Sequence, residues 1–396
     1  MSILSTQMGE HLKHSSMIRR MFEAGIILKQ QYGEDAVCDF SLGNPDLPPP
    51  PAVAQALRDL ADKASAPFSL GYMPNGGYPW ARERLAAYLA AEQQCAVTLN
   101  HVILSCGAAG AMNALLRAVL DPADEVLAIT PCFVEYGFYV ENHGGVLRTV
   151  ASMPETFALD VDAIKAAITP KTRAIIVNTP NNPTGVVYSE DELKRLCAVL
   201  DNAGRKHGRP IFLISDEPYR FLAFDGVIVP PVLPLYRYAV AIGSFSKSLS
   251  LAGERLGYLA LSPLLDDGER EPLLAATTMT NRILGYVNPP VVGQHLMAAA
   301  LDNPVDAEIY RKRRDVMAKV LAEAGYEFQL PKGAFYFFPK APGGDDAGVV
   351  ARLVEHRILG VPGSGFKGPG YFRLTFCVDE TVIERAAEGF KKAFKG

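Results

Sequence analysis

The sequence is short of closely spaced cysteines. The chain of 396 residues carries six cysteines and no Cys-x-x-Cys pair. Disulfide frameworks and structural zinc sites depend on such spacings, so we expect neither of them, and no metal site. Because reduced thiols are the rule in the cytosol, a cytoplasmic location is the expectation.

The sequence also lacks long apolar runs. No run approaches the roughly 18 apolar residues of a membrane helix, and MSILSTQMGEHLKHSSMIRR contains no signal-peptide core. The formal net charge is −4, which argues against a basic nucleic-acid surface or a polybasic membrane anchor. We therefore expect a soluble intracellular protein that binds neither nucleic acids nor membranes.

The chain does contain an alternation of short apolar runs with longer helical patterns. The apolar runs predict strands at HVILS, EVLAI, VLRTV, RAIIVN, PIFLIS, YAVAIG and RLGYLAL. One helical pattern starts with Ser189 and Glu192 at the spacing of a capping box. Such alternation, with strands that are apolar almost throughout, predicts an α/β fold whose largely parallel sheet is sandwiched by helices.

The chain divides into three parts. The proline cluster SLGNPDLPPPP (41–51) follows an N-terminal helical arm, and a long helical pattern around 310–324 precedes the short strand patterns AFYFFP and YFRLTF. We predict an arm that forms part of a small domain over 1–48, a large domain over 49–287 and a smaller α+β domain over 288–396.

Small or polar clusters follow four of the predicted strands. CGAAGAM follows VILS, TPNNPTG follows RAIIVN, DEPYR follows IFLIS, and SFSK follows AVAIG. In open α/β sheets, ligands bind in the crevice outside the carboxyl ends of the strands. We therefore expect the four clusters to face one site.

Each cluster also has an ordinary structural explanation. Roles in turns, caps, surfaces and ion pairs are available for Gly107–Gly110, Asn181–Gly185, Asp216–Glu217, Lys247, Arg255 and Arg373. These separate explanations leave the shared location of the clusters unexplained, and that favours a common site.

The combination of an anion-binding helix start, a strand-end aspartate, an amide-bearing turn and a lysine suits pyridoxal phosphate. That cofactor needs a lysine amine for a Schiff base and an acidic group facing its pyridinium nitrogen. A nicotinamide enzyme would need a glycine fingerprint that opens a helix. Gly363–Gly368 matches G-x-G-x-x-G, but Pro369 and a strand pattern follow it, so we reject that match.

The sequence resembles the class I/II aminotransferases, pyridoxal-phosphate enzymes of fold type I that include aspartate aminotransferase. The resemblance covers nearly the whole chain, in the family's order, through SLGNPD, GYMPNGGYPWARERL, CGAAGAM, TPCFVEY, NTPNNPTG, ISDEPY, SFSKSLSLAGERLGY, KGAFYFFP, VPGSGF and FRLTF. It implies a large domain with a mostly parallel, seven-stranded type of sheet, and a homodimer with shared active sites. It also implies ping-pong transfer of an amino group from an L-amino acid to a 2-oxo acid.

The resemblance implies roles for the residues around the cofactor ring. Lys247 would form the Schiff base and, once released, move the proton from Cα to C4′. Asp216 would pair with the pyridinium nitrogen. Asn182 and Tyr219 would hydrogen-bond the phenolic oxygen and lower the pKa of the aldimine, and Phe133 would stack on the ring.

The resemblance implies phosphate and substrate ligands as well. The phosphate would be held within one subunit by Gly107, Ala108, Ala109, Ser244 and Arg255. Tyr72 would reach it from the neighbouring subunit. Arg373 would clamp the substrate α-carboxylate bidentately, with Gly43 and Asn182 beside it.

The sequence departs from the family pattern in places. The phosphate loop is Gly-Ala-Ala, so backbone amides must replace hydroxyls that other members supply. Members acting on dicarboxylic acids use either a loop lysine, where this sequence has Ala109, or a partner arginine five positions before Asn-Pro-Pro, where it has Ile283. Either a one-residue shift brings Arg282 into use, or the enzyme does not select aspartate in the usual way. His143 is a conceivable partner for Asp216, but a surface-loop position is the favoured interpretation.

Two other functions remain as alternatives. A β-lyase or a synthase can use the same scaffold, and the motifs do not separate them from an aminotransferase; amino-group transfer is favoured because it is commonest there. A regulator with an aminotransferase-like domain would need a winged helix-turn-helix ahead of SLGNPD. That motif already begins at Ser41, and the net charge is negative, so we disfavour a regulator.

Overall fold

The computed structural model describes residues 3–13 and 17–395. The strands are β1 Cys38–Asp39, β2 Val102–Cys106, β3 Glu125–Thr130, β4 Val146–Ala151, β5 Thr172–Asn178, β6 Phe212–Asp216, β7 Ala239–Ser244, β8 Leu256–Leu261, β9 Tyr336–Phe337, β10 Ile358–Leu359, β11 Val361–Pro362 and β12 Phe372–Thr375.

The α-helices are α1 Thr6–Lys13, α2 Met17–Tyr32, α3 Pro51–Lys63, α4 Pro79–Glu92, α5 Gly107–Val119, α6 Glu135–Glu141, α7 Val161–Ala167, α8 Glu190–His207, α9 Phe245–Ser248, α10 Asp267–Asn281, α11 Val291–Ala300, α12 Ala307–Ala324, α13 Asp346–Glu355, α14 Glu380–Arg385 and α15 Ala387–Lys395. Within 3–13 and 17–395, no helix combines the length and the apolar character needed to cross a membrane.

The main sheet of the described chain has seven strands in the order β2–β8–β7–β6–β5–β3–β4. Strand β8 runs antiparallel to both of its neighbours, and the other paired strands are parallel. The predicted α/β class with a mostly parallel, seven-stranded sheet is therefore confirmed. Because its strands are parallel, β5, β6 and β7 end at the same edge of the sheet.

Both faces of this sheet are covered by helices. On β5, for example, Ile175 packs into a cluster that includes Leu85 of α4 and Leu193 of α8. Its neighbour Ile176 faces the other way, into a cluster that includes Leu115 of α5. Successive strand residues thus point into two separate cores, which is why the central strands are apolar at almost every position.

Short strands build a second region. Strand β12 pairs antiparallel with both β9 and β11, and β1 pairs in parallel with β10. A third hydrophobic cluster packs this region against α12 and α15, with Phe337, Leu374, Leu321 and Phe390 among its members. The predicted domain boundaries at 48/49 and 287/288 remain a prediction.

Two local predictions are confirmed. At the start of α8, Ser189 accepts a hydrogen bond from the backbone N–H of Glu192, and the Glu192 carboxylate accepts one from the backbone N–H of Ser189 at 2.8 Å, forming the capping box. The match at 363–368 opens no α-helix: Gly363–Phe366 is a single 3₁₀ turn, and β12 follows it.

Candidate active site

A cavity of about 270 Å³ lies where β5, β6 and β7 end. It is lined by members of all four strand-end clusters and by two aromatic residues of the TPCFVEY motif: Ala108, Ala109, Phe133, Tyr136, Asn182, Asp216, Tyr219, Ser244, Lys247 and Arg255. The structure therefore brings together side chains from segments that are far apart in the chain, at the edge that the strand pattern predicts.

One end of the cavity is suited to an anion. Helix α5 begins at Gly107, and its N-cap residue Cys106 makes no side-chain capping bond. Gly107 has a φ of 72°, and a Cβ there would lie 2.8 Å from Nη2 of Arg255. A Cβ on Gly257 would lie 2.3 Å from the carbonyl carbon of Gly107. Glycine at both positions lets a helix N-terminus and a guanidinium approach one point, and together they favour a phosphate.

A buried carboxylate stands at another wall of the cavity. Asp216, the last residue of β6, accepts a hydrogen bond of 2.5 Å from the Tyr136 hydroxyl. Burial raises the pKa of Asp216 to about 6; the bond from Tyr136 opposes that rise, and the nearby Glu217 carboxylate adds to it. The carboxylate is therefore poised to ionise fully when a cationic group lies beside it.

Sequence reasoning did not single out Tyr136. It lies three residues after Phe133 in the TPCFVEY motif, and the two rings meet edge to face with 5.7 Å between their centroids. His143 does not take this place: it lies half-buried in the turn after α6, with Nε2 3.1 Å from Oδ1 of Asn113. The loop position expected for His143 is confirmed, but the residue is half-buried instead of lying at the surface, and its ring bonds Asn113.

Lys247 is the amine of the site. It lies in α9, a single turn after β7 whose N-cap Ser244 accepts a bond from the backbone N–H of Ser246 at 3.1 Å. Its Nζ donates to the backbone oxygen of Gly43 at 2.6 Å. Burial lowers the pKa of Lys247 to about 8, so a larger fraction of the amine is uncharged near neutral pH than in an exposed lysine.

Arg373 is a buried cation in β12. Nη1 donates to Oδ1 of Asn182 at 3.0 Å and Nη2 donates to the backbone oxygen of Ser41 at 2.5 Å. Its Nε has no partner, and within 3–13 and 17–395 Arg373 forms no salt bridge. Burial lowers its pKa. A buried, unpaired guanidinium is costly unless an anion binds to it, and a carboxylate fits its two-pronged geometry.

The remaining members of the site are held by neighbouring polar groups. The backbone N–H of Asn182 donates to Oδ1 of Asn178 at 2.7 Å, which fixes the turn after β5. The Tyr219 hydroxyl lies 2.9 Å from the Tyr336 hydroxyl. Tyr336 was likewise not predicted as a site residue, although it belongs to the KGAFYFFP motif.

Other predicted site residues lie away from this cavity. Tyr72 is 92 % exposed and is absent from the cavity wall. Arg282 and Ile283 are exposed, and Arg282 borders a separate groove with Pro74–Gly76. Within a single chain neither Tyr72 nor Arg282 lines the cavity, so the roles predicted for these two residues need a second subunit.

The residues present fit pyridoxal phosphate. Glycines keep space open where the helix start and Arg255 converge, and this end matches the phosphate. The carboxylate of Asp216 suits the ring nitrogen, and the partly neutral amine of Lys247 suits the carbonyl carbon. Helix start, carboxylate and amine line one cavity, as a single ligand requires.

Comparisons with known proteins agree with this chemistry. Residues 35–390 match the family described as aminotransferase class I and II. The aspartate/prephenate aminotransferase of Thermus thermophilus is 31% identical over 376 residues, 92% of either chain. The aspartate aminotransferase of Geobacillus stearothermophilus is 32% identical over 375 residues, 90% of either chain.

Solved structures show the same fold. An amino transferase from Eubacterium rectale superposes with a TM-score of 0.95 and 34% identity, over 100% of this chain and 99% of that one. The aspartate aminotransferase of Thermus thermophilus with maleate gives a TM-score of 0.85 and 29% identity, over 99% of this chain and 100% of that one.

Fold and cavity together define a pyridoxal-phosphate enzyme. The chain belongs to the class I and II aminotransferases. Its activity is that of a pyridoxal-phosphate-dependent aminotransferase of the aspartate aminotransferase-like type, with amino acids and oxo acids as substrates.

Proposed function

We propose that this enzyme moves an amino group from an L-amino acid to a 2-oxo acid by a ping-pong exchange, with Lys247 and Arg373 as its central residues. The observation that carries the proposal is the buried guanidinium of Arg373, whose Nε lacks a partner although two aromatic rings and two hydrogen-bond acceptors contact the rest of the group. A substrate α-carboxylate supplies the missing anion. Donor and acceptor both carry that carboxylate, so both use the same clamp.

Bound pyridoxal phosphate supplies a carbonyl carbon for the amino group and an electron-withdrawing ring. Lys247 is positioned to hold the cofactor covalently, and its lowered pKa supports that role. With its amine free, Nζ of Lys247 would be the base that takes the proton from the substrate Cα. Its bond to the Gly43 backbone oxygen shows that the amine reaches the loop proposed to meet the substrate.

Four side chains are proposed to orient and polarise the ring. Asp216 keeps the ring nitrogen protonated, supported by its burial and its bond from Tyr136. Tyr219 and Asn182 donate to the phenolic oxygen. Phe133 lines the cavity and packs against Tyr136, where it can cover the ring face.

The phosphate is proposed to sit at the start of α5. Its ligands are the backbone amides of Gly107, Ala108 and Ala109, the hydroxyl of Ser244 and the guanidinium of Arg255. The support is that Ala108, Ala109, Ser244 and Arg255 all line the cavity, and that glycine at 107 and 257 leaves space between the helix start and Arg255.

We further propose a homodimer in which Tyr72 completes the phosphate site of the neighbouring subunit. Phe68 and Tyr72 are each 92 % exposed, and Met279 and Ile283 are 55 % and 54 % exposed. Apolar side chains exposed to this degree favour burial by a second copy. Sedimentation should give twice the monomer mass, and Tyr72→Phe should weaken cofactor binding without dissociating the dimer.

Aspartate is the donor we propose to test first, because the curated relatives described above are named for aspartate. Arg282 would read the distal carboxylate from the partner subunit, in line with its exposed position beside the groove of Pro74–Gly76. A cytoplasmic location is also proposed, and the free state of all six cysteines supports it.

One panel of amino acids tests the function. The holoenzyme is mixed with single L-amino acids, without acceptor, and both the visible band of the cofactor and the released 2-oxo acid are measured. One equivalent of 2-oxo acid per site, with aspartate fastest, supports the proposal. Repeated turnover of cysteine and water to pyruvate, ammonia and hydrogen sulfide, without an acceptor, would instead identify a β-lyase.

A further inference from the structure

Tyr336 contacts three predicted site residues, Tyr219, Arg373 and Gly43, and has not itself been given a role. It is the first residue of β9 and is 2% exposed. Its hydroxyl lies 2.9 Å from the hydroxyl of Tyr219, and its ring centroid lies 4.6 Å from Cζ of Arg373. A Cβ on Gly43 would lie 2.0 Å from the Tyr336 hydroxyl oxygen, so that hydroxyl also lies directly against the Gly43 backbone.

The two tyrosine hydroxyls share one hydrogen bond, and its direction matters. Each hydroxyl has a single proton, so the acceptor of the pair keeps its own proton for another partner. Tyr336 lies against the Arg373 guanidinium, whose positive charge makes the Tyr336 O–H the stronger donor. With Tyr336 donating, the Tyr219 proton is left for the cavity, and a hydroxyl that accepts one bond becomes a better donor in the next.

The surroundings of the pair support this direction. Burial raises the pKa of Tyr336, and the positive charge of the nearby Arg373 is the first influence that opposes this rise. Burial also holds the pKa of Tyr219 well above its ordinary value. The other titratable groups that face the pair are Cys377 and Asp216, and both act to raise a tyrosine pKa. Arg373 is the positive charge that faces the pair. It opposes the rise in pKa of both tyrosines, and the ring that it contacts is that of Tyr336.

We propose that Tyr336 is a positioning residue: its hydroxyl directs the proton of Tyr219 into the cavity, and its ring holds the plane of the Arg373 guanidinium. The inference deepens the proposed function and rests on its roles for Tyr219 and Arg373. One side chain would then orient both Tyr219, the proposed donor to the cofactor's phenolic oxygen, and Arg373, the proposed ligand of the substrate carboxylate. The Phe366 ring, also 4.6 Å from Cζ of Arg373, completes the support of that plane.

Tyr336→Phe tests the hydroxyl, because it keeps the ring and removes only the donor. Tyr326→Phe is the matched control: Tyr326 is buried in the same region, and its hydroxyl donates to the backbone oxygen of Phe390 at 3.3 Å, away from the cavity. The measurement is the midpoint of the pH titration of the visible cofactor band in the holoenzymes. Donors to the phenolic oxygen stabilise its negative charge and so lower that midpoint. Tyr336→Phe should raise it by about half to one pH unit, and Tyr326→Phe should leave it unchanged.

A double-mutant cycle establishes whether Tyr336 acts through Tyr219. Tyr219→Phe alone should raise the midpoint further than Tyr336→Phe. If Tyr336 works by directing the Tyr219 proton, adding Tyr336→Phe to Tyr219→Phe changes nothing more. Additive shifts, or a midpoint in Tyr336→Phe equal to that of the wild type, would overturn the role of the hydroxyl.

The ring is tested by carboxylate binding. The dissociation constant of propionate, a carboxylate that cannot react, is measured from the change it causes in the visible band. Tyr336→Phe should stay within about twofold of the wild type, whereas Tyr336→Leu should bind about tenfold more weakly because the guanidinium loses its ring contact. A tenfold loss of propionate binding already in Tyr336→Phe would contradict the proposal that the ring, and not the hydroxyl, supports Arg373. The comparison of Tyr336→Phe with the wild type can be made even if Tyr336→Leu does not fold. A wild-type protein without a pH-dependent visible band would refute the proposed function instead.

Discussion

The hydroxyl of Tyr136 donates to Oδ2 of Asp216 across 2.5 Å, between two side chains that are both buried. Burial raises the pKa of Asp216 to about 6, and this hydrogen bond is the contact that opposes the rise. The ionisation of Asp216, and with it the charge that faces the cofactor ring nitrogen, therefore depends on Tyr136.

Tyr136→Phe should move the pH dependence of cofactor binding upwards. Asp216 carries its charge above its pKa of about 6 and loses that charge below it. Removing a bond that stabilises the charged form raises the pKa further, by about one unit. The dissociation constant of pyridoxal phosphate for the apo protein, measured between pH 5 and 8, should begin to rise on acidification at a correspondingly higher pH.

Tyr236→Phe is the control for that titration. Tyr236 is buried in the large sheet region, and its hydroxyl donates to the backbone oxygen of Ile211 at 2.9 Å, outside the cavity wall. Its curve should superpose on that of the wild type. Superposed curves for Tyr136→Phe as well would show that Asp216 does not govern binding.

Gly257→Ala should disturb the proposed phosphate site by displacing the backbone at the start of α5. The added Cβ would lie 2.3 Å from the carbonyl carbon of Gly107 and 2.5 Å from the nitrogen of Ala108, so the helix start must shift. We expect the affinity for pyridoxal phosphate to fall by at least about tenfold. Gly253→Ala, where a Cβ would meet nothing within 4 Å, should bind normally; equal affinities for the two variants would refute the placement of the phosphate.

Arg373→Lys should weaken all amino-acid donors together. Lysine keeps the charge but loses the two-pronged contact with a carboxylate, so kcat/KM should fall about 10- to 100-fold for each donor. Steady-state kinetics with an acidic, an aromatic and a small aliphatic donor checks this. A loss confined to one donor would show that Arg373 reads a side chain instead of the shared carboxylate.

Arg282→Ala should act on acidic donors alone. If Arg282 reads the distal carboxylate across the dimer, kcat/KM for aspartate should fall about tenfold or more while aromatic donors keep theirs. Arg58→Ala, which removes an exposed arginine bonded to Gln55, serves as the control. No change, or an equal change for all donors, would remove Arg282 from the site.

The strand ends could be predicted from sequence because their signal is local. Asn182, Asp216 and Lys247 each follow an apolar run, and parallel topology carries them to one edge without any knowledge of packing. The Ser189 capping box is local as well.

The partners of these side chains could not be predicted in the same way. Tyr136 reaches Asp216 across 80 positions, and Tyr219 meets Tyr336 across 117. Such contacts depend on how the helices and the second sheet region pack, and a sequence pattern does not record that. The sequence also does not reveal that Arg373 lacks an acidic partner in the described part of the chain. Acidic residues are plentiful along the chain, and only the fold decides whether one of them lies beside Arg373.

The covalent attachment point of the cofactor tests the account most directly. Holoenzyme reduced with borohydride and digested should show the mass of the reduced cofactor on the peptide that contains Lys247. Lys247→Ala should lose that mass, whereas Lys340→Ala, which removes an exposed lysine paired with Glu155, should keep it. The account predicts a single labelled site at Lys247; a cofactor mass on any other lysine, or its persistence in Lys247→Ala, would contradict it.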